Sequence, residues 1–214
     1  MRRTRFLFLR VFVLAIALAA CEEDEVSSRA RAAFEKARLL AKQREEMKKH
    51  NVSAKKKREE RDTKGDTVAL STEILADFLP KSYATYQKNG VPINSPAQIN
   101  GGAFSTIEQT YSSQNQNIRL TIRDSNKGVS THAGIGKMWS RTPPTNTKKA
   151  RGSYVLLAGK FHAWEYYEKR TRRAGLLIDV SDRIYIELIA TEQMDTDAVK
   201  GLVIGINLDK LAKY

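Results

Sequence analysis

The sequence predicts an α+β domain, with helices packed on one face of an antiparallel β-sheet, preceded by a charged stalk. Three observations predict it. In NIRLTIRD (117–124), Ile118, Leu120 and Ile122 alternate with Arg119, Thr121 and Arg123, the period of a strand with one buried face. The strand-like runs after residue 153 are joined by connectors as short as RTRR and Asp182-Arg183. Such connectors make antiparallel hairpins, because a parallel crossover needs a dozen residues or more. Apolar residues at helical spacing stand before and after those runs, which segregates helices from strands.

The domain is expected over residues 67–214, where all five prolines and most of the glycines lie, and 148 residues can bury a real core. In STEILADFLP (71–80), Leu70, Ile74, Leu75, Phe78 and Leu79 have helical spacing, Ser or Thr starts the helix and Pro80 stops it. QKNGVPINSPAQINGG (87–102) reads as a loop on its glycines and prolines. AFSTIEQTY (103–111) reads as a strand, HAGIGKMW (132–139) as a short helix and TPPTNTKKARG (142–152) as a loop. SYVLLAG (153–159), FHAWEYYEK (161–169), AGLLIDVS (174–181) and IYIELIA (184–190) form a run of strands. Asp195 or Thr196 then caps a helix through Val199, Leu202, Val203 and Ile206, with Leu208 and Leu211 continuing its apolar side.

Residues 21–66 read as the stalk. Ala30, Ala33, Phe34, Ala37, Leu40 and Ala41 share one helical face, and beyond them glutamates are scattered among lysines and arginines. About two heptads are visible where a coiled coil needs three or four, so the segment reads as a solvated helical or disordered spacer. Helical throughout, ~40 residues would reach about 60 Å. The other use of KKKREER is to hold an anionic polymer.

The net charge of +13 includes four arginines in the first 21 residues, and the rest keeps 33 basic residues against 24 acidic ones. The single Cys rules out an internal disulfide and cannot hold zinc alone. MRRTRFLFLR followed by VFVLAIAL has the basic tip and short apolar run of a secretory signal, too short to span a bilayer comfortably. Leu18-Ala19-Ala20-Cys21 closes that run and resembles the lipobox of bacterial lipoproteins. The resemblance implies cleavage between Ala20 and Cys21, which removes residues 1–20 as signal peptide. It further implies a diacylglycerol on the Cys21 sulfur and an acyl chain on the new amino terminus. At about 0.8 kcal/mol per buried methylene, several chains hold a protein to a bilayer permanently. No other cofactor is expected. In enterobacterial lipoproteins an Asp after the lipidated Cys retains the protein in the inner membrane. Glu22 stands there instead, which implies the outer membrane. The run Glu22, Glu23, Asp24, Glu25 is also similar to the surface-export signal of Bacteroidetes lipoproteins, so periplasmic and surface faces both stay open.

Catalytic patterns are sparse. His50, His132 and His162 show no metal-ligand spacing, and no GxSxG elbow occurs. Glu165 and Glu168, three apart on a strand, face opposite sides, and Asp179 and Asp182 fail as a pair likewise. The domain is therefore expected to be non-catalytic, binding or scaffolding an envelope component. The candidate contact is WEYYEKRTRR (164–173), where Trp164 and Tyr166 neighbour Lys169, Arg170, Arg172 and Arg173. Rings beside cations can stack on sugars and hold anions; the alternative is that one aromatic face fills the core under an exposed basic turn. Peptidoglycan, another anionic envelope polymer or an envelope protein are the partners this fits, and export excludes nucleic acid. Three rival functions stay open: an envelope hydrolase acting on cell wall or lipid, a structural lipoprotein linking membrane to wall, and a cytosolic nucleic-acid binder, which requires that residues 1–21 are no export signal. FHAWEYY (161–167), GLLIDVSDRIYIEL (175–188), DAVKGL (197–202) and LDKL (208–211) resemble the C-terminal part of small exported bacterial lipoproteins, which implies architecture and no site residues.

Overall fold

The computed structural model describes residues 52–126 and 145–214, except 54, 67, 100, 101, 148, 149 and 182, together with thirteen residues between 28 and 49. The signal segment, Ala20, Cys21, His50, His132, Asp182 and the helix expected at 132–139 lie outside the described residues. The chain forms two compact units, Met1–Glu46 and Met47–Tyr214. In the first, every described residue is helical and exposed, and Glu35 faces Arg38 at 4.0 Å. Phe34 is among the residues exposed there.

The second unit opens with a helix over residues 55–63, α1, whose Lys55–Glu59 and Lys56–Glu60 pairs, 3.7 and 3.9 Å apart, are exposed. Helix α2 (Thr72–Ala76) follows, then strands β1 (Ser82–Tyr83), β2 (Tyr86–Ile99), β3 (Gly102–Ser113), β4 (Gln116–Asp124), β5 (Thr145–Asn146), β6 (Ala150–Leu157), β7 (Phe161–Glu168), β8 (Arg173–Asp179) and β9 (Ile184–Thr191). Helices α3 (Asp197–Ile204) and α4 (Leu208–Leu211) end the chain. Among the described residues the strands form one sheet in the order β1-β2-β3-β4-β9-β8-β7-β6-β5, each neighbouring pair antiparallel.

Alternation sorts the side chains. Ile118, Leu120 and Ile122 of β4 face the same way as Ile184, Ile186, Leu188 and Ala190 of β9 and Ala174, Leu176 and Ile178 of β8, all buried. Leu75, Phe78 and Leu79 from the α2 region and Val199, Leu202, Val203, Ile206, Leu208 and Leu211 from α3, α4 and the turn between them close the same core. The helices thus lie on one face of the sheet, as the α+β reading predicts. At about 25 cal/mol per Å² of apolar surface, this face is the main source of stability.

Three expectations need correction. Residues 87–99 are strand, not loop: β2 runs fourteen residues despite Pro92 and Pro96. It can because β1 pairs only with Tyr86 and Gln87, so the rest of its outer edge needs no ladder donors from proline. A register shift between Asn89 and Ile93, with Gly90 at φ +72°, absorbs the residues around Pro92. Proline, bulge and Lys88 together blunt this edge against pairing with other chains. Next, Thr145 and Asn146 pair with Gly152 and Arg151, so part of 142–152 is a small hairpin, not a loop. Last, α2 ends at Ala76. Its start is capped as expected, Ser71 Oγ accepting from the Ile74 amide at 3.4 Å, but the chain leaves in tight turns whose carbonyl at Pro80 accepts from the buried Tyr111 hydroxyl at 2.7 Å. Thr196 precedes α3 without capping it; the Asp195 carboxylate accepts from the Asp197 amide at 2.9 Å.

Candidate functional site

The register gives the sheet two distinct ends. Asp124 pairs with Ile184, and Asp179 with Tyr185, at one end; Asn117 pairs with Thr191, and Ala174 with Ala190, at the other. The seven residues of β8 separate these ends by about 20 Å.

At the first end the stalk joins the domain. Arg183, 3% exposed, donates from Nε to Asp124 Oδ1 (2.8 Å), from Nη2 to Asp124 Oδ2 (2.5 Å) and the Val68 carbonyl (3.1 Å), and from Nη1 to Asp66 Oδ2 (3.4 Å) and the Tyr214 main-chain oxygen (3.2 Å). All five guanidinium protons find acceptors, the condition under which a buried cation is tolerated. Asp124 also accepts from the Leu70 amide at 2.7 Å. Beside it Asn126 Nδ2 donates to Asp66 Oδ1 (2.9 Å) and the Val68 carbonyl (2.8 Å), while its Oδ1 accepts from Arg61 Nε of α1 (3.1 Å). The incoming chain, the end of β4, the β8–β9 turn and the last residue therefore meet on one guanidinium. The Asp182-Arg183 pair was expected only to turn a hairpin. A charged residue flanked by two strand-forming runs was the available signal, but its partners lie 59 and 117 positions away.

At the opposite end stands the β7–β8 turn. Lys169, Arg170 and Arg172 are exposed there, Arg173 is half-buried, and Arg151 joins them from β6, its guanidinium 6.0 Å from the centre of the Tyr167 ring. Among the described residues Glu168 and Glu192 flank the turn, Thr171 Oγ1 donating to Glu168 at 2.8 Å and Arg172 Nη1 pairing with Glu192 at 3.3 Å, while Glu165 and Asp195 share a cleft with Arg151. Lys169 Nζ donates to the Thr147 carbonyl at 3.2 Å.

The turn is held from behind. Arg172 takes a left-handed conformation, φ +50°, and its carbonyl accepts from the Gln193 amide at 2.8 Å. The Gln193 carbonyl accepts from the Tyr167 hydroxyl at 3.1 Å, and its side chain donates to the Thr191 carbonyl (2.8 Å) and the Tyr86 hydroxyl (3.1 Å). Tyr86 in turn donates to Gln116 Oε1 at 2.7 Å, and Gln116 Nε2 to the Glu192 carbonyl at 3.0 Å. Gln193 is buried, so the basic turn rests on a polar network that draws on four strands, β2, β4, β7 and β9.

The two rings of the predicted contact part from the exposed cations. Trp164 is 7% exposed and packs with Leu177 and Tyr185 on the face away from the helices, with Tyr166 alongside. Two glycines make room: a Cβ on Gly152 would stand 2.6 Å from the Trp164 ring, and one on Gly175 2.1 Å from the Tyr166 ring. Burial raises the Tyr166 phenol pKa, against the hydrogen bond and charge of Arg173. So the structure gathers Lys169, Arg170 and Arg172, adds Arg151, leaves Arg173 against Tyr166, and keeps Trp164 inside.

Glu165 lies on the helix-covered face between Ala163 and Tyr167, with Glu168 on the other side as the spacing predicts. Thr196 Oγ1 donates to Glu165, and Lys200 Nζ sits 3.4 Å from it and 3.2 Å from Asp197. These bonds fasten α3 to β7. The cleft beside Glu165, bounded by Arg151, Ser153, Tyr167 and Thr196, has about 60 Å³, room for about two waters and too little for a sugar. A wider groove of about 430 Å³ runs along Val68, Leu70, Glu73, Pro96 and Phe104, with Glu73 its one carboxylate among the described residues. Among the described residues no three His, Cys, Asp or Glu side chains are placed to hold a metal ion. No described helix is long and apolar enough to cross a membrane.

The chain matches no protein-family model, and no curated protein matches it.

Proposed function

We propose that this chain is a lipid-tethered bacterial envelope protein: Cys21 carries the acyl chains, the charged stalk spaces the domain from the bilayer, and the domain binds or scaffolds an envelope component without chemistry of its own. The observation that carries this is Leu18-Ala19-Ala20-Cys21, placed directly after a basic tip and a short apolar run. The only thiol in the chain sits where an anchor needs it. Outer membrane is the expected destination, from Glu22 following the cysteine.

The domain's geometry suits a tethered binder. A load on the stalk enters through Asp66 and Val68 and is taken up by Arg183 and Asn126, side chains bonded to β4 and to the end of the chain. The hydrolase reading has less support, since the small cleft beside Glu165 is crossed by the bonds that fasten α3. Radiolabelled palmitate should enter the wild type and not Cys21→Ala, and the mature protein should begin at Cys21. Label in the mutant, or a native protein starting at Met1 with a free thiol, would overturn the reading.

A further inference from the structure

We infer that the β7–β8 end of the sheet is a preorganised docking surface for an anionic cell-wall glycan, one bearing carboxylates along its length. The inference rests on the envelope placement proposed above and names the partner and the surface. Three observations carry it. Lys169, Arg170 and Arg172 are exposed on one turn with Arg151 next to them and Arg173 half-buried behind, and Glu168, Glu192 and Asp195 stand near them, so these described residues keep a positive excess. A solvated turn needs no support, yet this one is bolted at its Arg172 carbonyl to buried Gln193, which Tyr86, Tyr167 and Thr191 hold in turn. Cations fixed before binding lose less conformational entropy when an anion arrives.

The third observation is the composition of the patch. Met194 is the exposed apolar side chain next to the turn, and one such side chain supplies too little burial to insert into lipid. Electrostatic attraction over a Debye length of about 8 Å guides an anionic polymer onto the cations.

The test uses the lipidated protein in detergent, sedimented with purified peptidoglycan sacculi. Wild type should pellet. Lys169→Glu/Arg170→Glu should bind at least tenfold more weakly, and alanine at the same positions should weaken it in the same direction. Lys64→Glu/Lys213→Glu makes the same charge change near the stalk entry and should leave binding intact. Amidating the sacculus carboxylates should abolish it, and thermal melts should superimpose. Equal loss in both charge-reversal variants would reduce the effect to net charge and overturn the proposal, as would no loss in either or no pelleting of wild type. A preference for phosphatidylglycerol over phosphatidylcholine vesicles that the tip variant loses, without sacculus binding, would give the surface to a bilayer instead. The two readings fail separately: absent palmitate label defeats the anchor, while unaltered sacculus binding of the tip variant defeats this surface.

Discussion

Arg183 and Asp124 meet as a two-pronged ion pair, Nε to Oδ1 at 2.8 Å and Nη2 to Oδ2 at 2.5 Å, with the Asp124 side chain fully buried. The pair sits where the stalk, the core and the last residue converge. Its partners are charged or backbone groups that lose water on folding, so removing one side leaves the others unmatched.

Arg183→Met should therefore destabilise the domain by about 3–5 kcal/mol, because it strands a buried carboxylate. Asp124→Asn/Arg183→Met should recover part of the loss by removing the uncompensated charge. Denaturant melts measure both. Hydrogen exchange should rise first at residues 66–70, whose tie to Arg183 is gone; protection unchanged there would contradict the role assigned to this side chain.

The glycines under the two rings should separate in cost. Trp164 is wedged among Leu177 and Tyr185, so Gly152→Ala forces a clash with no easy exit and should cost about 1–3 kcal/mol. Its fluorescence, read in a Trp139→Phe background, should shift to the red. Tyr166 is only half-buried and can swing away, so Gly175→Ala should cost less. The freed phenol should then titrate closer to an ordinary tyrosine. Equal costs would mean that Trp164 is less confined than its packing indicates.

Much of this fold is legible in the chain because it is local. Ile118, Leu120 and Ile122 alternate on their own strand, and Val199, Leu202 and Val203 mark a helix face without reference to anything distant. What stays hidden depends on register. Pro92 and Pro96 read as loop because sequence does not say that their strand lies at an edge, where proline is tolerated. The cations of 169–173 were visible as a cluster, but Arg151 joins them only through the β6–β7 pairing, which sets it opposite Tyr167. Trp164 reads as available for stacking because its covering residues, Leu177 and Tyr185, come from the next two strands. Arg183 shows locally only as a charge between two strand-forming runs, and its acceptors, like the Tyr86 partner of Gln193, lie far along the chain.

Alkaline pH should unfold the domain from a defined point. Burial raises the phenol pKa of Tyr111, Tyr166 and Tyr185 above the ordinary value of 10.0. A group whose folded pKa is raised contributes its full stability below the unfolded pKa and loses it as pH climbs beyond. Stability should thus be insensitive to these groups below pH 10 and fall above it. Absorbance of phenolate should show a late fraction that appears together with loss of the sheet's circular dichroism. Release of that fraction at ordinary pH with the fold intact would contradict the burial.

Gln193→Ala isolates the support of the basic turn from its charge. The substitution removes the side-chain bonds to Thr191 and Tyr86 but keeps every cation and the backbone amide that holds Arg172. Leaving the Thr191 carbonyl and part of the Tyr86 hydroxyl unmatched should cost about 1–3 kcal/mol. If the network serves to hold the turn, amides of 169–173 and 192–194 should exchange faster while those of β4 and β9 keep their protection. Sacculus binding should weaken severalfold with net charge unchanged, since cations that must be ordered on binding lose entropy then. A uniform rise in exchange across the sheet would make Gln193 a general stabiliser, and binding unaltered by a loosened turn would show that rigidity there contributes nothing to recognition.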